Sequence, residues 1–227
     1  MHFTHRIAIV SLTLSILGLW QPTLADPGSN IPWESENQPA PWEENDCRGG
    51  ASQIFRLGGE VSNPTIFNLQ KLKNLQEDLK NLNPSLVTEV TVSFQTGSGQ
   101  RTETYYGVPL WELINNENAT GPLKPGNSGP NTKNAFLRQY VLVEATDCYG
   151  ATVAIGEIHP NFEAKQVLVA YAKKASDGSI QDLTDEGFAR LVVPGDQAGG
   201  RYVSNVRNIL VVSAPTSPLK PRYFRRP

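Results

Sequence analysis

Residues 190–204 read Arg190-Leu-Val-Val-Pro-Gly-Asp-Gln-Ala-Gly-Gly-Arg-Tyr-Val-Ser204. The apolar run Leu191 to Val193 has the β-branched content of a buried strand. Pro194-Gly195 stops it, since proline lacks the N–H that a ladder needs and glycine admits a turn. A Gly199-Gly200 turn follows beside Arg201, and a second apolar run occupies 206–213. Two readings fit this connection. Glycines let backbone N–H groups converge on an anion, and an arginine adds a forked donor for phosphate. The alternative is a plain glycine-rich link between strands, which residue physics alone favours.

Working outward, residues 47–214 predict one α+β domain. Ile54 to Val61 reads as a strand interrupted at Gly58-Gly59. Asn68 is placed to cap a helix with apolar residues at 69, 72, 75, 79 and 82, a 3- and 4-residue period. Asn83-Pro84 ends it. Val90, Val92 and Phe94 alternate as in a half-buried strand, Gly97-Ser-Gly99 turns the chain, and Thr102 to Tyr106 returns. Pro109 opens a short helix, Leu110 to Ile114. Further strands are expected at 139–146, 151–155, 166–172, 189–193 and 206–213, with a hairpin turn at Asp177-Gly178. Residues 117–134 form a long polar loop that includes the Asn118-Ala119-Thr120 acceptor triplet.

The ends differ in composition. Residues 1–25 carry Arg6, an uncharged apolar run from Ile7 to Trp20 and a Thr23-Leu24-Ala25 cleavage site, the pattern of a secretory signal peptide. The run is shorter than the roughly 20 residues that span a bilayer, so the mature chain is expected not to be membrane-spanning. No second arginine joins Arg6, which favours the general secretory route over twin-arginine export. The protein is therefore expected in the periplasm or outside the cell. Residues 26–46 form an acidic arm with four prolines, no Lys or Arg, and a Pro-Trp-Glu triplet at 32–34 and 41–43. Trp33 and Trp42 serve either to dock a partner or to clip the arm to its own domain. Residues 215–227 form a basic, proline-rich tail holding Lys220, Arg222, Arg225 and Arg226.

The whole chain has 20 Lys and Arg against 22 Asp and Glu, and cleavage would remove Arg6 alone. A net charge this small gives no basis for nucleic-acid binding. Cys47 and Cys148 are the two cysteines of the chain. An even count in an oxidising compartment favours a disulfide between them, with two free thiols as the alternative.

Few standard catalytic constellations are present. Beyond the leader the only histidine is His159, which excludes multi-histidine metal sites. Ser-His-Asp chemistry through His159 stays formally open, but no Gly-x-Ser-x-Gly elbow accompanies it and a structural or solvated histidine is the simpler reading.

Four segments together resemble the molybdopterin-binding domain of the sulfite oxidase-like oxidoreductases. They are Leu57-Gly-Gly-Glu-Val-Ser-Asn-Pro64; Tyr106-Gly-Val-Pro-Leu-Trp-Glu-Leu-Ile114; Tyr140-Val-Leu-Val-Glu-Ala-Thr-Asp-Cys-Tyr-Gly150; and Gly187-Phe-Ala-Arg-Leu-Val-Val-Pro-Gly195 through Ile209. The resemblance covers roughly residues 54–213 and implies a mixed, β-rich fold. It implies a molybdopterin cofactor, with molybdenum on a cysteine thiolate and the pterin phosphate held by cations. By that correspondence Gly195, Arg201 and Ser204 are the candidate cofactor-binding residues, with Ser204 where the family has a lysine. The stretch that supplies the family's thiolate reads Val92-Ser-Phe-Gln-Thr-Gly-Ser-Gly-Gln100 and holds no cysteine. The resulting expectation is an exported binding or accessory module without tightly held metal, taking a small anionic ligand or a protein partner. An active molybdopterin-dependent oxidoreductase, and an interaction protein working through its tryptophan arm and basic tail, are the alternatives. N-terminal sequencing of the exported protein is expected to start at Asp26; material beginning at Met1 would exclude the cleavage.

Overall fold

The computed structural model describes residues 47–124 and 133–214. The expected leader, the acidic arm, the basic tail and residues 125–132 of the polar loop lie outside the described residues.

The architecture is α+β and strand-rich, with two five-stranded sheets. The first holds β1 (Phe55–Gly59), β2 (Thr65–Phe67), β5 (Gln139–Ala145), β6 (Gly150–Ala154) and β10 (Val206–Ser213). Their order is β2-β1-β10-β5-β6, with β10 parallel to β1 and antiparallel to β5. The second sheet holds β3 (Glu89–Thr96), β4 (Gly99–Pro109), β7 (Leu168–Lys174) and β8 (Ile180–Asp182), while β9 (Arg190–Val192) pairs with β7. The helices are α1 (Leu69–Leu82), α2 (Leu110–Asn115) and the single turn α3 (Ile155–Ile158).

Local chemistry accounts for most of these elements. The Asn68 side chain accepts a hydrogen bond from the Lys71 N–H at 2.8 Å, satisfying a donor that the first turn of α1 leaves free. Leu72, Leu75 and Leu79 are buried along one stripe, whereas Leu82, although in phase, is 70% exposed. Period-2 alternation is clear in β5, where Val141, Val143 and Ala145 are buried. Phe55 stacks on Phe67 and Phe188, with ring centroids 5.1 and 5.6 Å apart, and so joins β1 to β2 and to the approach to β9.

Two glycines are fixed by close backbone approach. A Cβ on Gly59 would lie 2.1 Å from the Val211 carbonyl oxygen on β10. One on Gly107 would lie 2.3 Å from the Val169 oxygen on β7, at the register shift in β4. This explains why β4 runs on through Gly107-Val108-Pro109 instead of ending at Tyr106. Periodicity does not predict the two short strands β2 and β8 or the helix α3. Each has three or four residues, too few to show a period.

Cys47 and Cys148 form the expected disulfide, with Cα atoms 5.1 Å apart and a separation of 101 positions in sequence. Closing so long a loop stabilises by about 4–5 kcal/mol on the chain-entropy account. Thr120 of the acceptor triplet is fully buried and donates its hydroxyl to the Leu113 carbonyl at 2.6 Å.

Gly107→Ala is expected to destabilise the domain by about 2 kcal/mol or more, because the added methyl meets rigid backbone. Gly97→Ala, in a turn with open space around it, is the matched control and should be near neutral. Urea unfolding of both variants measures the difference.

Candidate functional site

The connection from β9 to β10 carries the chain from the second sheet to the first. Gly195 takes a left-handed φ of 89° and turns it after Pro194. Residues 199–201 form a short 3₁₀ turn laid against β3: a Cβ on Gly199 would come within 3.0 Å of the Phe94 ring, and Gln95 N–H donates to the Gln197 carbonyl at 2.9 Å. Tyr149, from the turn between β5 and β6, donates its hydroxyl to the Gly200 carbonyl. Asn205, with φ of 53°, bends the chain into β10.

Arg201 is held on both sides. Its Nε and Nη2 donate to Asp196 Oδ2 and Oδ1 at 2.8 and 2.6 Å, a forked pair across the turn. Its Nη1 donates to both Glu157 oxygens, at 3.3 and 3.1 Å. Glu157 also accepts from Lys165 Nζ at 3.1 Å and from the Ala154 N–H at 3.1 Å. Burial pushes the Glu157 carboxyl up, but the Ala154 N–H, Lys165 and Arg201 outweigh it and hold the group below its ordinary value. The Asp196 hydrogen bonds, with Glu157 behind them, raise the Arg201 guanidinium above its already high value. Two carboxylates on one guanidinium leave no uncommitted fork for a phosphate.

Tyr202 follows in chain order. It is 5% exposed, sits edge-on to Phe94 with ring centroids 4.6 Å apart, and its hydroxyl has no partner among the described residues. Burial and then the charge of Asp196 push its phenol up to about 12, against the opposing pull of Arg190 and Arg201.

Ser204 does not join the Arg201 cluster. It lines a separate pocket of about 220 Å³ with Gly49, Gly50, Thr146, Asp147, Tyr149, Tyr202 and Asn205. The space beside Gly195 is open, with no atom within 4 Å of a built Cβ. The three residues matched by resemblance thus serve three roles: a turn, a clamp and a pocket wall.

His159 lies elsewhere, after α3. Its ring packs on Trp111 and Phe136 at 4.7 Å each and on Phe162 at 5.3 Å. Its Nδ1 accepts from the Asn161 N–H at 3.1 Å. In a Ser-His-Asp triad a carboxylate orients that nitrogen, whereas here a backbone N–H takes its place, and the ring also lines a pocket of about 250 Å³ with Trp111, Lys124 and Phe136. The Val92–Gln100 stretch forms a two-stranded turn rather than a ligand loop, and Ser93 Oγ pairs with Thr102 Oγ1 across it at 2.7 Å.

Sequence reading missed the Glu157–Arg201–Asp196 clamp. Asp196 was visible as an acid five positions before Arg201 in the same turn. Glu157 was not, because it is 44 residues away and is brought there by α3.

No family profile and no curated protein matches this sequence. Among solved structures, the chain is similar to the sulfane dehydrogenase SoxCD from Paracoccus pantotrophus, with 18% identity and a TM-score of 0.49. The likeness covers 71% of this chain and 38% of that one, so this chain spans well under half of that protein's length. At this level it carries no inference about activity.

The donor set does not fit a thiolate-ligated molybdenum centre. Molybdenum in that coordination needs a soft thiolate, and both cysteines of the chain are joined to each other. Among the described residues no group of three or more His, Cys, Asp or Glu is arranged to hold a metal ion. No helix among them is long and apolar enough to cross a membrane.

The clamp predicts a pH dependence. A carboxyl held below its ordinary value in the folded state contributes stability above its unfolded pKa, and that stability is lost as pH falls through the folded value. Glu157→Gln is expected to cost about 1–2 kcal/mol at neutral pH, between the limits for exposed and buried pairs. It should also flatten the acid limb of the stability profile. Part of that limb remains, because Glu186 is likewise held low by Arg190 and Lys173 against the effect of burial. Urea midpoints of both proteins from neutral to acid pH test this, and parallel profiles would exclude it.

Proposed function

We propose that this chain is an exported binding or accessory module, built on a domain like those of the sulfite oxidase-like oxidoreductases but working without a molybdenum centre. Residues 1–25 serve as its leader, 26–46 as an acidic arm, 47–214 as the domain and 215–227 as a basic tail. One observation carries the reading: the two cysteines of the chain are bonded to each other, so neither offers a thiolate to a metal. The commitment of Arg201 to Asp196 and Glu157 supports it, since the cation that would meet a pterin phosphate is already neutralised. The apolar leader and the disulfide agree in pointing to an oxidising compartment. Among the described residues, the Ser204 pocket is one surface open to a ligand, and a second pocket of about 250 Å³ lies beside Trp111, Lys124, Phe136 and His159.

Protein purified from its native compartment is expected to hold far less than one molybdenum per chain by elemental analysis, without or with prior reduction of the disulfide. Stoichiometric molybdenum would overturn the reading and favour a molybdopterin-dependent oxidoreductase.

A further inference from the structure

The pocket beside Ser204 is made by two walls that are far apart in sequence. One is Gly49-Gly50, which closely follows Cys47. The other is Thr146-Asp147 with Tyr149, which flanks Cys148. The disulfide joins the walls covalently. Two hydrogen bonds run beside it: Gly49 N–H to the Thr146 carbonyl at 3.2 Å, and Thr146 Oγ1 to the Gly50 carbonyl at 2.7 Å.

Those bonds decide what the pocket presents. The hydroxyl protons of Thr146 and Tyr149 are given to the Gly50 and Gly200 carbonyls. Their oxygens therefore offer only lone pairs inward. Asp147 is the one charged residue in the lining, and it is exposed. One of its oxygens accepts the Tyr149 N–H at 2.9 Å. Ser204 can both donate and accept, Asn205 brings an amide, the Tyr202 hydroxyl is buried with no partner among the described residues, and no Lys or Arg lines the space. The lining is rich in acceptors and carries one negative charge. It disfavours an anion and matches a cation that brings several N–H donors. One carboxylate is too few ligands for a divalent metal, which takes several oxygens. The volume, about 220 Å³, is below the roughly 300–1,000 Å³ of sites for drug-sized molecules, so the ligand is small.

We propose that this pocket is a binding site for a small organic ammonium, with Asp147 as its counter-charge and the Cys47–Cys148 bond holding its walls together. The proposal deepens the binding-module reading and rests on it only in taking this pocket as the module's ligand site. Reduction by a dithiol breaks the one S–S bond, delivers two electrons and two protons, leaves two protein thiols and oxidises the dithiol to its own disulfide. The Gly49-Gly50 wall then loses its covalent tie to the Thr146-Asp147 wall, and affinity for the ammonium falls.

The test is an NMR titration of the ¹⁵N-labelled oxidised protein with ethanolamine, with ethylene glycol as the neutral analogue and sulfate as the anion. Ethanolamine is expected to shift the Gly49, Gly50, Thr146, Asp147 and Tyr149 amides saturably, and the other two probes are not. Asp147→Asn keeps an oxygen for the Tyr149 N–H and should weaken ethanolamine binding about tenfold or more, equivalent to about 1.4 kcal/mol. Reduced protein, and the Cys47→Ser, Cys148→Ser double variant, should bind about tenfold more weakly while keeping the dispersed amide spectrum of the core. If the reduced forms lose that spectrum, Asp147→Asn in the oxidised protein decides alone. Equal shifts with ethylene glycol or sulfate, unchanged binding by Asp147→Asn, or no saturable shift at all would overturn the site. Folded reduced protein binding as tightly as oxidised protein would overturn the role of the disulfide. A silent titration alongside absent molybdenum removes this site and leaves the module reading, whereas stoichiometric molybdenum removes the module reading whatever the titration gives.

Discussion

The pairing of β10 between β1 and β5 is the constraint on which the rest of the domain depends. It joins the two ends of the described domain in one ladder, parallel on one side and antiparallel on the other. A parallel pair cannot be closed by a tight turn, so the chain between β1 and β10 has to travel away and return. It uses that excursion to build the whole second sheet. The arrangement requires a crossing from β9, in the second sheet, back to β10, in the first, and the glycine-rich segment makes that crossing.

The charged residues in the crossing therefore have a structural task. Arg201 ties the turn to Asp196 within it and to Glu157 on α3, so the segment is anchored at both the near and the far side. Arg190, at the start of β9, lies over the Tyr105 and Tyr202 rings at 5.5 and 5.8 Å and pairs with Glu186 at 2.6 Å. Tyr105 is fully buried on β4, so these contacts link the second sheet to the crossing. The charges are half-buried and paired, which is how such groups are tolerated inside a fold. Their pairing turns a segment that looks made for an anion into one made for rigidity.

Elements with a long period or a strong cap were legible in the sequence. The α1 stripe, the alternation in β3 and β5, and the Pro109 entry into α2 rest on local chemistry, so local reading found them. The extension of β4 through Gly107 was not legible, because only the approach of the Val169 carbonyl across the sheet explains a glycine there. The same limit applies to the site. Arg201 stood out as a cation among glycines, but its nature depends on Glu157, which tertiary structure alone brings to it. The disulfide was legible because two cysteines leave a single pairing to consider. The pocket that it braces was not, since its two walls lie about a hundred residues apart in the chain and meet only in the folded domain.

The place of β10 also bears on how the domain comes together in time. It is the last strand of the described domain in chain order, yet it lies at the centre of the first sheet. Until it arrives, β1 and β5 have no shared neighbour. Local contacts cannot substitute for it, because Ile209 and Val211 themselves supply buried core. Contacts so distant in sequence make folding slow relative to helical domains of similar size. A growing chain of this kind stays open until its final strand is available.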